Sequence, residues 1–380
     1  MSAAASSRHF GTGWISGGVA ITLSLIGLGG VLCFIFPEQL TSPYVRDAVP
    51  LPVLRALLQF VLVAAFVMAL VSLILRKRKI LGGIALTVAA TAVALGGWWL
   101  PGREVEQRAY LGLDWFLLNL LLLCMLFVPL ERAFARLKDQ GVFRRGWQTD
   151  LAHFFVSHMI VQASVFLTLA PARIFFEWSI NAELQRAVAV QPAWLQFLEI
   201  IVVADFCEYW LHRFEHRSPL LWRFHAIHHS AEHMDWLAGS RLHLVDIVLV
   251  RSLTFVPLYV LGFANAPVFA YLTFVSFHAV FIHANVRFRF GWLEHILVTP
   301  RFHHWHHAAE ERAIDRNFAV HLPLLDRLFG SLLLPPNDEW PASYGIAGHP
   351  IPERYLVHTA YPFAPGRFTR ADARTPTRGL

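Results

Sequence analysis

Charge is scarce in this chain. Asp, Glu, Lys and Arg make up 15% of its 380 residues, while 56% are hydrophobic; a soluble domain usually carries about 25% charge. One water-facing core cannot absorb that apolar excess, so part of it must face lipid. Cysteine is scarcer still. The three present, Cys33, Cys124 and Cys207, lie far apart inside apolar runs, which argues against a disulfide framework or a zinc–cysteine site. No basic tract interleaved with aromatics is present, so the formal charge of +6 does not point to nucleic acid. Surplus Lys and Arg are instead usual in the cytoplasmic loops of membrane proteins. Also missing are a convincing cleavage site after the first apolar run, which is therefore expected to be retained, and any solenoid-type repeat. The chain shows no haem-binding cytochrome domain, Rieske cysteine–histidine pattern or flavin motif.

What the chain has instead is long apolar runs. Residues 13–36, 52–75, 80–100 and 111–130 are the clearest, followed by 151–171 and 194–211. Two more, 244–262 and 265–283, meet at Gly262-Phe263-Ala264-Asn265 and predict a tight helical hairpin. All lie near the roughly 20 residues that a helix needs to cross ~30 Å of hydrocarbon. Arg76-Lys77-Arg78-Lys79 separates the second and third runs, and Arg132, Arg136, Lys138, Arg144 and Arg145 follow the fourth. With both basic stretches cytoplasmic, the odd–even count of spans puts the N-terminus inside. It puts the segments after 211 and 283 on the same side. The expected fold is all-α: a polytopic integral-membrane helical bundle with a cytoplasmic, histidine-rich di-metal cap. Residues 1–145 form an N-terminal transmembrane module, 146–331 a catalytic domain, and 332–380 a C-terminal extension whose last stretch, about 364–380, is a tail.

Fourteen of the 20 histidines fall between 212 and 307. His212 and His216 are spaced HxxxH; His225, His228 and His229 are spaced HxxHH, as are His303, His306 and His307, with His304 as an extra. Residues three and four apart share a helical face about 5–6 Å apart, so each group aims two or three imidazoles at one point. Imidazole suits iron, copper, zinc and nickel. Eight such ligands exceed what one ion takes, which makes two metals the economical reading. His304 sits about 100° further round the helix than His303 and is expected to stay out of the ligand set. HRFEH is not the HExxH of zinc proteases, whose glutamate directly follows the first histidine.

The three groups in this order, with Asp205, Tyr209 and Trp210 before the first, resemble the fatty acid hydroxylase and sterol desaturase superfamily. His283-Ala284-Asn285, Thr299-Pro300-Arg301-Phe302-His303 and Asp326-Arg327-Leu328-Phe329-Gly330 fit it too. The resemblance covers about 146–331. It implies a membrane-bound, non-haem di-iron oxygenase that uses O₂ and external electrons, from a separate electron-transfer protein or reductant, to hydroxylate or desaturate a lipid or sterol-like substrate. Carried over residue by residue, it implies His212, His216, His225, His228, His229, His303, His306 and His307 as ligands, with His283 and His278 added and Asn285 beside them. It implies no catalytic residue beyond the ligands. The segment Arg241 to Asp246 departs from the family pattern, with Leu244 for a proline and Asp246 for a glutamate. The four spans before 131 match no motif of the family.

Other polar residues read as follows. Asp205, Glu208 and His212 share a helical face, so Asp205 is expected to accept the distal N–H of a ligand histidine; an ion pair with Arg213 or Arg217 is the plainer alternative. His153 and His158 are expected to be satisfied polar residues in an apolar run, and His233, His295, His321, His349 and His358 structural or exposed. Three rival functions are less economical. A haem electron-transfer protein would place paired histidines at membrane depth on opposed helices, not in triplets at helix ends. A zinc-dependent membrane hydrolase needs one metal and a general base, and a metal transporter wants ligands strung across the bilayer.

Overall fold

The apolar runs of the sequence become helices, and no strand forms among the described residues. The computed structural model describes residues 13–41, 49–75, 79–96, 112–159, 174, 176–347 and 351–364. The basic residues 76–78, the loop 101–110, most of the second half of the run 151–171, His349 and the tail from 365 lie outside the described residues. The principal helices are α1 (Trp14–Ile35), α2 (Leu51–Leu75), α3 (Ile80–Leu95), α4 (Leu113–Ala133), α5 (Trp147–Met159), α6 (Ala193–Arg217), α7 (Pro219–His229), α8 (Leu244–Leu261), α9 (Asn265–His283) and α10 (Pro300–His306).

Among the described residues, five helices are long and apolar enough to cross a membrane: Ile15–Ile35, Leu51–Leu75, Leu113–Ala133, Leu244–Leu261 and Asn265–His283. The sequence had suggested eight. The run 80–100 yields a described helix of only 16 residues. Of 151–171, only the part up to Met159 is described as helix. The run 194–211 does form a 25-residue helix, but Glu199, Asp205 and Glu208 interrupt its apolar surface, and Asp205 and Glu208 are buried. Its interior face serves a polar site rather than lipid.

Two compact units divide the chain: Met1–Leu122 with His158–Gln162, and Leu123–Ser157 with Ala163–Leu380. In the first, α1 packs on α2 and α3. Between helices in lipid there is little hydrophobic driving force, so association rests on close approach and interhelical hydrogen bonds. Both devices are present. A Cβ on Gly27 would sit 2.5 Å from Leu62, so glycine is what lets α1 lie against α2. Ser24 donates to the Ala85 carbonyl at 2.9 Å and Ser72 to that of Gly13 at 2.9 Å. Large apolar side chains such as Phe60 and Ile74, 66% and 77% exposed, point away from the helix contacts.

In the second unit, α6 packs against α7, α8 and α9. The α8–α9 hairpin turns at Gly262, which takes φ 73 and donates its N–H to Leu258; that left-handed cap is why glycine stands there. Ile200, Ile201, Ala204, Leu258 and Tyr271 fill the space between these helices. A second core, Tyr209, Ile282, Val298, Phe302, Phe318 and Ala319, lies against the ends of the helices that carry the histidines. The described part of the C-terminal extension folds back onto this unit. Glu353 meets Arg241 at 2.9 Å, and His358 meets His153 at 3.0 Å.

Candidate metal centre

Four helix ends deliver the histidines. Ser218 ends α6 and caps α7, its hydroxyl accepting from Leu221 N–H, with Pro219 at the first helical position; this pairing of capping residue and proline is a strong helix start. The chain therefore reverses between His216 and His225 without a loop. Thr299 and Pro300 repeat the device at α10, which carries His303, His304 and His306, with His307 at its C-cap. His283 is the last residue of α9.

Nine buried histidines converge in two groups. His212, His216, His225, His229 and His306 form one, and His228, His283, His303 and His307 the other; within each, the ligand atoms lie within 4.8 Å of one another. The groups adjoin, with the His229 and His307 rings 4.6 Å apart. In the second group, Nε2 of His283 stands 3.3 Å from that of His228 and 3.0 Å from that of His303, and His303 and His307 are 3.1 Å apart. Two nitrogens each about 2.1 Å from one metal and at right angles stand about 3 Å apart.

The hydrogen bonds on the far side of the rings show why these nitrogens need a cation. His212 Nδ1 lies 2.8 Å from the Phe318 carbonyl, His306 Nδ1 2.8 Å from that of Arg316, and His225 Nδ1 3.2 Å from an Asp246 carboxylate oxygen. Each Nδ1 must carry the proton to donate, which leaves a lone pair on Nε2. Nε2 of His212, His225 and His306 is buried with no hydrogen-bond partner among the described residues. In the second group, His228 Nδ1 faces the Arg241 carbonyl at 3.1 Å and His283 Nδ1 that of Ala279 at 2.6 Å, so their two Nε2 lone pairs confront each other. Lone pairs pointed together in a dry interior are repulsive unless a cation sits between them. The residues fit a pair of metal ions.

Burial first, and then the neighbouring imidazoles, hold His216, His228, His229, His303 and His307 well below the usual histidine range. Burial and the nearby His225 bring His212 down to about 3. All are therefore neutral near pH 7 and available to a metal. Beside His225, burial and the neighbouring Asp246 raise the Glu215 carboxyl, so one of these two acids keeps its proton.

Three expected site residues are placed elsewhere. His278 joins neither group: its Nε2 meets the Val298 carbonyl at 2.9 Å and its Nδ1 the Nδ1 of His321 at 3.1 Å. Five residues before His283 is about 140° round the helix, so α9 cannot aim both at one point. Among the described residues, Asp205 receives no histidine ring N–H and pairs with neither arginine. Its carboxylate accepts the backbone N–H groups of Val320, His321 and Leu322 at 2.8, 2.9 and 2.6 Å. Asp326 does the same for Phe318 and Ala319 at 2.8 Å each. Together they pin the loop whose carbonyls orient His212 and His306, so Asp205 acts one step further out than expected. Asn285 exchanges hydrogen bonds with the backbone of Leu137 at 2.9 and 3.1 Å and touches no ligand ring directly. His243, within the Arg241–Asp246 segment, caps α8 and meets the Thr359 carbonyl.

Sequence reasoning passed over Glu215, whose oxygen lies 3.3 Å from His225 Nδ1, and gave Asp246 no role. Glu215 is three residues after His212 on one helix face, a spacing that was legible. The ion network behind the site, Arg144 with Asp150 and Asp235 at 2.6 Å each and Arg241 with Asp150 at 2.5 Å, left no sequence signal. A small cleft lies against His216, His229 and His306 and is lined on its other side by Ile314, Asp315 and Gly345 to Ala347.

Residues 197–331 match the family model described as fatty acid hydroxylase. Among curated proteins, the ornithine lipid hydroxylase OlsE of Rhizobium tropici is 35% identical over 174 residues, covering 46% of this chain and 52% of its own length. The alkylglycerol monooxygenase of Danio rerio is 35% identical over 159 residues, 42% of this chain and 33% of that protein. The human alkylglycerol monooxygenase is 32% identical over 127 residues, 33% and 28% of the two chains. The chain thus spans about half or less of the length of these relatives. No solved structure matches it.

Proposed function

We propose, on the premise that residues 197–331 belong to the fatty acid hydroxylase family, that this chain is a membrane-bound, non-haem di-iron oxygenase acting on a lipid. The single observation that supports it most is the pair of buried histidine groups whose unpaired nitrogens converge. The proposed ligands are His212, His216, His225, His229 and His306 to one iron, and His228, His283, His303 and His307 to the other. His278 is left out. Iron suits an all-imidazole set, and the relatives are named for hydroxylase and monooxygenase activity.

When bound, the metal pair supplies the activation of O₂ and the oxidation of an unactivated C–H bond, with two electrons from a separate donor. The chain's own part is positional. Phe318 and Arg316 carbonyls and the Asp246 carboxylate fix His212, His306 and His225 in the tautomer that presents Nε2. The Tyr209–Phe302–Phe318 core excludes water from the underside of the site. Four helix ends hold the nine ligands, so the geometry does not depend on a mobile loop. An aliphatic chain under a polar headgroup is the substrate class that the ornithine-lipid and alkylglycerol names suggest, and hydroxylation is favoured over desaturation. The catalytic domain is taken as 146–331. The spans before it serve as an anchor.

Two measurements test this reading. Purified protein is expected to hold about two irons per chain without haem absorbance. Lipid extracts from cells with the protein are expected to contain species 16 mass units heavier than those without it, a gain of one oxygen; a loss of two units means desaturation. One metal per chain, or lipids identical with and without the protein, refutes it. The same reading puts the histidine groups on the cytoplasmic face, supported by the basic residues between Arg132 and Arg145. Glu311 is exposed beside the site. In a Glu311→Cys variant an impermeant thiol reagent should react only after the membrane is opened, and labelling of intact cells reverses the topology.

A further inference from the structure

The two histidine groups differ in what stands behind them. In the five-histidine group, His225 Nδ1 faces two carboxyl groups, Asp246 at 3.2 Å and Glu215 at 3.3 Å, all three side chains being at most 6% exposed. His216 Nδ1 faces a third, Asp315, at 3.5 Å. Among the described residues, the four-histidine group has no carboxylate in contact. His228 and His283 are backed by the backbone carbonyls of Arg241 and Ala279. Nδ1 of His303 and of His307 is buried with no hydrogen-bond partner among the described residues.

A carboxylate accepting the distal N–H of a ligand imidazole raises its basicity, and loss of such a partner typically costs about 10–100-fold in metal affinity. A ring with no acceptor gains nothing of the kind. We propose that the two metal positions are unequal by construction: the five-histidine position, backed by Asp246 and Glu215, is the high-affinity one and fills first, and the four-histidine position is the weaker, exchangeable one. This rests on the reading that the nine histidines hold two metals. Donor number and outer charge work in the same direction, five ligands with the Asp246 carboxylate behind His225 and the protonated Glu215 beside it, against four with no acid in contact among the described residues. Asp246 and Glu215 are therefore positioning residues that act through His225. Because the cleft opens on His216, His229 and His306 of the tight position, the rate of stripping by a chelator does not report this order; an equilibrium titration does.

The experiment is anaerobic titration of metal-free, full-length protein with Co²⁺, followed by visible ligand-field absorption and by metal content after gel filtration. Wild type is expected to take two equivalents in two steps separated by about tenfold or more. Asp246→Asn keeps an acceptor oxygen near His225 but removes the charge. It should weaken the first step by about 10–100-fold and leave the second in place. His306→Ala should abolish the tight step and His303→Ala the weak one, so the assignment does not depend on one variant folding. Two wild-type equivalents that bind with a single affinity overturn the proposal, as does an Asp246→Asn variant that weakens both steps alike. So does loss of the tight step in His303→Ala. If folded wild type takes fewer than two equivalents, it is the di-metal reading that has failed instead.

Discussion

Replacing His306 with alanine is expected to abolish turnover and remove at least one metal, whereas replacing His304, two residues earlier, leaves metal content near normal. His306 presents an unpaired, buried Nε2 to the five-histidine group, its tautomer set by the Arg316 carbonyl. Changes one shell out from a metal cost about 10–100-fold, so removal of a ligand should exceed a hundredfold in activity. His304 is also buried, 1% exposed, but it faces away from the nitrogens of both groups. Its Nδ1 meets the Tyr344 hydroxyl at 2.6 Å and its Nε2 the His283 carbonyl at 3.3 Å. His304→Ala therefore removes two hydrogen bonds, leaving the Tyr344 hydroxyl with Arg136, and costs about 1–3 kcal/mol of stability, while leaving the ligand sets whole. Iron per chain, product formed with a supplied reductant, and a thermal melt separate the two variants. Equal iron loss in both, with the fold intact, shows that the wrong face of α10 was assigned.

Arg241→Met is expected to be the most destabilising single change outside the ligands. Arg241 is fully buried, and its guanidinium bonds Asp150, Glu353 and the Ser230 hydroxyl. Its backbone carbonyl orients His228. Removing one partner of a buried ion pair costs about 3–5 kcal/mol, because the other charge stays behind in low dielectric; here Asp150 keeps Arg144, which favours the lower end. The variant should also change the acid limb. Burial alone raises the Asp150 carboxyl, but Arg241 and Arg144 outweigh it and hold the group below its ordinary 3.8. A depressed carboxyl stabilises the fold at pH values above the ordinary range and loses that contribution as pH falls through its folded value. Melting of Arg241→Met should therefore fall at neutral pH and depend less on pH below about 5. A variant that melts with wild type across this range removes the network from the account of how the C-terminal extension is held.

The legible parts of this protein are those written in local spacing. HxxxH and HxxHH name eight of the nine converging histidines, since α6, α7 and α10 bring residues three and four apart to one face. Ser218-Pro219 and Thr299-Pro300 mark the helix starts that aim them. His283 came from resemblance alone, because a lone histidine at a helix end has no spacing to advertise it. His278 was included by the same route, and the turn of α9 puts it with Val298 and His321 instead.

Composition by itself determined that the chain is helical and in large part lipid-facing, and histidine spacing determined that it gathers imidazoles for metal. Only the tertiary structure decided which imidazoles group together, because His228 and His229 are neighbours in sequence yet turn to different groups. It also decided what stands behind each ring. Asp246 reaches His225 from another helix, Asp205 holds a loop 115 residues away in the chain, and Arg241 closes on Glu353 across 112 residues. Such partners are chosen by three-dimensional proximity and by the cost of leaving a buried charge or N–H alone, and no local pattern in the chain records that choice.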